Sequence, residues 1–243
     1  MRASLTFLQR SAITALFCFC CVLLAWPLAG HAQGSGMAER TLACTACHGE
    51  QGKAGPDGYY PRLAGKPAGY LYNQLQNFQE GRRQYSPMQH LIAPLSDEYL
   101  RAMADYFASL HVPYPAPATA TVAPDVLARG KALVLQGDES RRLPACIACH
   151  GQALTGLQPG VPGLLGLPRD YLNAQLGGWQ TGQRRANAPD CMATIAKRLS
   201  DADVNAISQW LSSQPVPANS TAVSARPARS AQLSPLPECG SAP

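Results

Sequence analysis

CTACHG at Cys44–Gly49 returns as CIACHG at Cys146–Gly151. Each stretch holds a Cys-x-x-Cys-His run, the signature of covalent c-type haem attachment. Two thiols close together on one side of the chain can add to the two vinyl groups of one haem. The imidazole that follows then lies under the iron as an axial ligand. A lone Cys-x-x-Cys would suit a redox dithiol or half a zinc site. The added His, the repetition and an export segment point to haem instead. Two covalent haems are therefore expected, one on Cys44 and Cys47 with His48, the other on Cys146 and Cys149 with His150.

The likeness of the two stretches continues downstream in the same order, the mark of an internal repeat. Pro61-Arg-Leu63-Ala-Gly65 corresponds to Pro162-Gly-Leu164-Leu-Gly166, and Tyr70-Leu71-Tyr-Asn-Gln74-Leu75 to Tyr171-Leu172-Asn-Ala-Gln175-Leu176. Gly81 then matches Gly182, and Leu95-Ser96-Asp97 matches Leu199-Ser200-Asp201. Each copy has about a hundred residues, enough for a small domain around a large apolar cofactor. Between them runs VPYPAPATATVAP, Val112–Pro124, whose composition reads as an extended linker. The tail beyond Ser212 is similar in character and is expected to be poorly ordered, apart from any tether at Cys239. The chain thus divides into an export segment (1–32), a first domain (33–111), the linker (112–124), a second domain (125–214) and a tail (215–243).

Both copies read as helical. Leu71, Leu75 and Phe78 fall on one helix face, as do Leu172, Leu176 and Trp179. Leu100, Met103 and Phe107 mark a later helix, and Val204, Ile207 and Leu211 mark its counterpart. Ser96 and Ser200 stand where N-caps belong, each followed by acidic residues. Helices also run into the haem motifs around Met37–Ala43 and Val126–Leu135, and no alternation of period two predicts a strand. The expected fold class is all-α.

A chain of 243 residues has room for one or two domains. Its start carries Arg2 and Arg10, an apolar stretch Ser11–Ala29 and a small-x-small site, Gly30-His31-Ala32, before Gln33. That pattern is a secretory signal; the competing reading is an uncleaved anchor, since the apolar stretch is near the length of a membrane span. Export predicts a periplasmic protein. Of nine cysteines, Cys18, Cys20 and Cys21 lie in this segment and four belong to the haem motifs. Cys191 and Cys239 remain, to be joined as a disulfide in an oxidising compartment or left as free thiols. The formal charge of +5 falls once Arg2 and Arg10 are removed, and haem propionates would bring it near neutrality. The uniform basicity of a nucleic-acid binder is absent, and so is a phosphate-cradling Gly-rich loop.

Electron-carrying haem irons are usually completed by Met or His. In the second copy His150 is the only His and Met192 the only Met, so Met192 is the candidate, with the adjacent Cys191 as a thiolate rival. The first copy offers Met37, Met88, Met103, His90 and His111. Met88 precedes Leu95-Ser96-Asp97 by the interval that separates Met192 from Leu199-Ser200-Asp201, which favours Met88; His90 is its rival. Met103 lies on an apolar helix face and reads as core, while His111 opens the linker. Pro61 and Pro162 are candidates to offer the carbonyl that fixes each metal-bound imidazole. Arg62, Arg82, Arg83, Arg184 and Arg185 could pair with propionates or be ordinary surface cations.

The run YPRLAGKPAGYLYNQLQNFQEGRR, Tyr60–Arg83, followed by Met88 and APLSDEYLRAMADYFASL, resembles the first domain of the dihaem cytochrome c4 family. PACIACHG, Pro144–Gly151, and MATIAKRLSDADVNAISQWL, Met192–Leu211, resemble its second. The resemblance covers about Met37 to Gln214. It implies two class I cytochrome c domains packed together in the periplasm, with His48 and Met88 on one iron and His150 and Met192 on the other. It also implies one-electron transfer toward a terminal oxidase, with membrane association a frequent companion. Cys191 departs from the family, which often has two adjacent Met residues there. Gly163-Leu-Leu-Gly-Leu167 replaces a LAGQ-like run, and the Pro-rich tail ending in Cys239 is unusual.

The expected function is electron carrying without substrate chemistry, because Met fills the sixth iron position. Expected partners are redox proteins: a terminal oxidase, a quinol–cytochrome c reductase or a dehydrogenase. One alternative is an electron-accepting subunit fixed to a dehydrogenase complex. Another is an enzyme, either a dihaem thiosulfate dehydrogenase with Cys191 on iron or a peroxidase with one five-coordinate haem.

Overall fold

Each copy of the repeat folds into short helices packed on the faces that the apolar spacing marks. The computed structural model describes residues 36–55, 57–224 and 236–241. The export segment, with Cys18, Cys20 and Cys21, lies outside the described residues. In the first half, α1 (Met37–Arg40) and α2 (Leu42–His48) lead into the haem motif. They are followed by α3 (Ala68–Gln79), α4 (Ser86–Ile92) and α5 (Asp97–Ser109). The second half holds α6 (Pro124–Leu135), the one-turn α7 (Ile147–His150), α8 (Arg169–Thr181), α9 (Cys191–Ala196) and α10 (Asp201–Ser212).

Local chemistry explains the boundaries. Ser96 accepts from Tyr99 N to cap α5. Ser200 caps α10 in a full capping box, its hydroxyl accepting from Asp203 N while Asp203 accepts from Ser200 N. Helix α8 stops at Gly182, whose left-handed backbone (φ 77°) suits glycine. Leu100, Met103 and Phe107 are buried in the first half, and Val204, Ile207 and Leu211 in the second. Burial of one such side chain contributes about 1.5–3 kcal/mol.

Two expectations need correction. A short antiparallel ladder, β1 (Gly156–Leu157) with β2 (Val161–Pro162), interrupts the second half. Two residues per strand are too few to show alternation, so the spacing gave no sign of it. Residues 215–224 of the tail are also better fixed than their composition suggests. Val223 N donates to Gly156 O (3.2 Å) and Gln158 N to Val223 O (2.9 Å), which lays residues 215–224 along the second half. Farther on, Cys239 is joined to Cys191, and Asn73 of α3 donates to Ser241 O at 2.9 Å.

The linker is extended, as its prolines dictate, and it is clipped at its start and at its middle. Arg62 donates to the carbonyls of Val112 and Pro113 and lies over the Tyr114 ring, while Ala118 N donates to Ser212 O. Between the halves, matched positions meet. Arg83 and Arg184 form an antiparallel bridge, flanked by Gln84 N donating to Gln183 O and Arg185 N to Arg82 O. The two copies therefore face each other across an approximate two-fold seam.

Candidate cofactor sites

The Cys-x-x-Cys-His runs owe their geometry to one helical turn. In the second half the Cys146 carbonyl accepts from both Cys149 N (3.2 Å) and His150 N (2.9 Å), which brings both thiols to one side above the imidazole. The glycine after each His has positive φ, 74° at Gly49 and 84° at Gly151. At Gly49 a Cβ would stand 2.6 Å from Ala54 O, so the sharp exit from the helix needs glycine.

His150 Nδ1 donates to Pro162 O at 2.8 Å, and His48 Nδ1 donates to Pro61 O at the same distance. A carbonyl only accepts, so Nδ1 carries the proton and Nε2 is left with its lone pair free for a metal. Burial lowers the proton affinity of both rings. The proline carbonyls oppose that, while Arg83 lowers His48 further and Lys66 does the same at His150. Both imidazoles are thus neutral near pH 7, the form that ligates. Burial, with Cys149 next in effect, pushes the Cys146 thiol up to about 12.

A cavity of about 1030 Å³, counting its open mouth, lies over His150. Cys146, Cys149, Met192 and a ring of aliphatic side chains from α6, α8, α9 and α10 line it. One end differs from this apolar lining. Lys66 and Tyr70 reach in from the first half to join Arg184 and Trp179. The buried Trp179 Nε1 has no hydrogen-bond partner among the described residues. An apolar slot with cations and an unsatisfied N–H at one end fits a flat macrocycle that carries carboxylates on one edge.

In the first half Met88 sits on α4 and packs against Phe78, Ile92, Leu100 and Met103. His90 is exposed, and its Nδ1 donates to Ser86 O of its own helix at 2.7 Å. Met192 faces the second cavity, whereas Cys191 is bonded to Cys239. That bond removes the Cys191 sulfur from the candidate iron ligands, against the alternative of a thiolate-ligated haem. Among the described residues no group of three or more His, Cys, Asp or Glu is arranged to hold a metal ion, which leaves the Cys-x-x-Cys pairs without the rest of a zinc site.

The arginines divide. Arg82 pairs with Glu80 and Asn77, and Arg185 is exposed. Arg62, Arg83 and Arg184 lie at the linker or the seam. Arg83 donates to Gln74 and Gln175 and lies over Phe78. Arg184 donates to Gln175, Tyr70 and Gln74 and lies over Trp179. Burial alone would raise the Tyr70 phenol, but Arg184, Lys66 and Arg83 together bring it down to about 8. Lys66 and Tyr70 are the site residues that the sequence reading missed. Lys66 is matched in the repeat by Leu167, so comparing the copies gave no reason to single it out.

A one-turn Cys-x-x-Cys-His, an imidazole fixed by a proline carbonyl and a methionine across an apolar slot define a c-type cytochrome. The Cytochrome c family model matches residues 32–111. The chain is 38% identical over 177 residues to the "Thiosulfate dehydrogenase electron acceptor" of Thiomonas intermedia strain K12, covering 72% of this chain and 79% of that protein. Reduced cytochrome c4 from Pseudomonas stutzeri superposes with a TM-score of 0.63 at 30% identity, over 72% of this chain and 95% of the other. Thiosulfate dehydrogenase (TsdBA) from Marichromatium purpuratum gives 0.65 at 32% identity; the match covers 75% of this chain but 40% of that one. The chain belongs to the dihaem cytochrome c4 family. It is a cytochrome c4-like electron carrier, and its cofactor is covalently bound haem c. Among the described residues no helix is long and apolar enough to cross a membrane.

Proposed function

We propose that this protein works in the periplasm as the electron acceptor of a thiosulfate-oxidising dehydrogenase, passing single electrons on toward a terminal oxidase. Cys44 and Cys47 hold one haem through thioethers, with His48 and Met88 on its iron. Cys146 and Cys149 hold the other, with His150 and Met192. When bound, each haem supplies an iron that takes up and releases one electron. The chain's own residues set the conditions for that. The Pro61 and Pro162 carbonyls hold the imidazoles in the ligating tautomer. The aliphatic walls exclude water, and a methionine thioether on the iron would favour its reduced form.

The observation that carries this reading is the Cys191–Cys239 bond beside Met192. It leaves Met192 as the soft side chain of α9 that lines the cavity, which supports an iron that would be held on both faces by the chain and a carrier without an open position for substrate. Likeness to a thiosulfate dehydrogenase electron acceptor supports the choice of donor. Joining two thiosulfate ions through a new S–S bond releases two electrons, and two irons have room for two. The basic, apolar start of the chain and the disulfide support export.

The test mixes oxidised holoprotein with thiosulfate, with and without a thiosulfate dehydrogenase. Reduction of both haems only when the dehydrogenase is present is expected. Thiosulfate turnover by the chain alone would instead establish an enzyme.

A further inference from the structure

The seam carries more positive charge than the protein neutralises. Arg62, Lys66 and Arg184 are buried and Arg83 is half-buried. None of the four forms an ion pair with a carboxylate among the described residues. Three are held by neutral acceptors: Arg62 by backbone carbonyls, Arg83 and Arg184 by glutamines and a tyrosine. Lys66 is different. It is 6% exposed and lines the second-half cavity; among the described residues its Nζ makes no hydrogen bond or ion pair, and it lies 5.8 Å from the centre of the Tyr70 ring. Burying an ammonium without an anion is costly, so this position expects negative charge from the cavity's occupant.

The placement is also one-sided. Lys66 belongs to the first half but faces the cavity over His150. Its repeat counterpart, Leu167, lines that same cavity as an aliphatic group. The second half therefore returns no ammonium from the matched position. A cation in a low-dielectric wall stabilises a centre that gains an electron, and the effect is far stronger there than in water.

We propose that Lys66 sets the direction of electron flow within the molecule, by raising the affinity of the second-half haem for an electron above that of the first. The step moves one electron from the first-half iron to the second-half iron, with no bond made or broken. The inference rests on the haem and ligand assignment given above, and Lys66 is a positioning charge that touches no iron.

Redox titration of the holoprotein, followed optically, tests it. Wild type is expected to show two one-electron steps. Lys66→Gln is expected to reduce the preference for the second-half haem about tenfold, a shift of about 59 mV in its step for a one-electron couple. Lys66→Met removes the charge while keeping an unbranched chain of similar length, and it should shift the step as Gln does. Lys66→Arg should keep the wild-type separation. The steps are assigned in a Met88→His background, in which the first-half step falls because a methionine ligand raises the potential. The proposal is overturned if Lys66→Gln and Lys66→Met move neither step, if they move the first-half step, or if Lys66→Arg shifts it as much as Gln. A chain carrying other than two haems, or unmoved by Met88→His, would instead overturn the ligand assignment.

Discussion

The two halves descend from one repeat, yet the second is braced where the first is open. In the second half α6 is a single helix of 12 residues, seated so closely on α10 that a Cβ at Gly130 would lie 2.1 Å from Ala206 O. In the first half the approach to the haem motif is two short helices, α1 and α2, broken at Thr41, and Leu42 is 63% exposed. Asp203, wholly buried, ties α10 to α6 and to the loop before the haem motif through Arg129 (2.5 Å) and Arg141 (2.6 Å). The corresponding position of α5 holds Tyr99, whose ring lies under Arg40 at the surface. The methionine-bearing helix is locked by a disulfide in the second half, whereas in the first α4 carries an exposed Leu91. The same framework thus concentrates its stability around one site and keeps apolar surface available around the other.

The comparison breaks most sharply at Asp203. Burial works against its charge, but Arg141, Ser200 and Arg129 outweigh that and hold the carboxyl well below the usual range. A folded-state value below the unfolded one contributes stability that is present above the unfolded pKa, near 3.9. That stability is lost as pH falls through the folded value. Second-half unfolding should therefore begin below about pH 4. Asp203→Asn leaves two guanidiniums short of a partner and should cost about 3–5 kcal/mol at neutral pH. Thermal melts with haem absorbance as the probe check both. A first-half variant, Tyr99→Phe, should shift the melt hardly at all.

Removing the disulfide should have the next largest effect. It closes a loop across 48 residues, for which chain entropy allows about 3–4 kcal/mol. The double variant Cys191→Ala/Cys239→Ala avoids a free thiol beside Met192. Lower thermal stability is expected, with weakening of the red-region methionine–iron band from the second haem alone. Equal weakening from both haems would contradict the asymmetry. Gly130→Ala follows, at roughly 1–3 kcal/mol for overpacking, because α6 must lift from α10. A melt in which the methionine–iron band of the second haem disappears before that of the first is the expected signature.

Much of this was legible in the sequence, for a physical reason. Covalent attachment, ligand tautomer and helix capping are local, so Cys44–His48, Cys146–His150, Ser96 and Ser200 announce themselves by residue type and spacing. The apolar faces of α3, α5, α8 and α10 follow from their period in the same way. What joins the halves is not local. Lys66 sits in a motif whose copy has leucine, and only the seam turns it into the other half's cavity. Asp203 reads as a first-turn acid and turns out to be a buried hub. The tail's prolines and serines suggest looseness, while residues 215–224 are held by backbone bonds at Val223, which composition does not encode.

The smallest expected effect on stability sharpens the other side of the comparison. Leu42 precedes the first haem motif on α2, with most of its side chain in water, and Leu91 on α4 is 58% exposed. Exposed side chains with little packing change stability by no more than about 0.5 kcal/mol when replaced, so Leu42→Ser and Leu91→Ser should melt like wild type. Their repeat counterparts, Pro144 and Ile195, line the second cavity. Retaining two large aliphatic groups in water around one haem motif has no folding benefit to explain it; a docking role for them would appear in the rate of electron uptake. Stopped-flow reduction by the dehydrogenase should slow in both variants while reduction by a small inorganic reductant stays unchanged. Equal rates with the protein donor would place the electron entry point on the braced half, and the exposure of Leu42 and Leu91 would then be incidental.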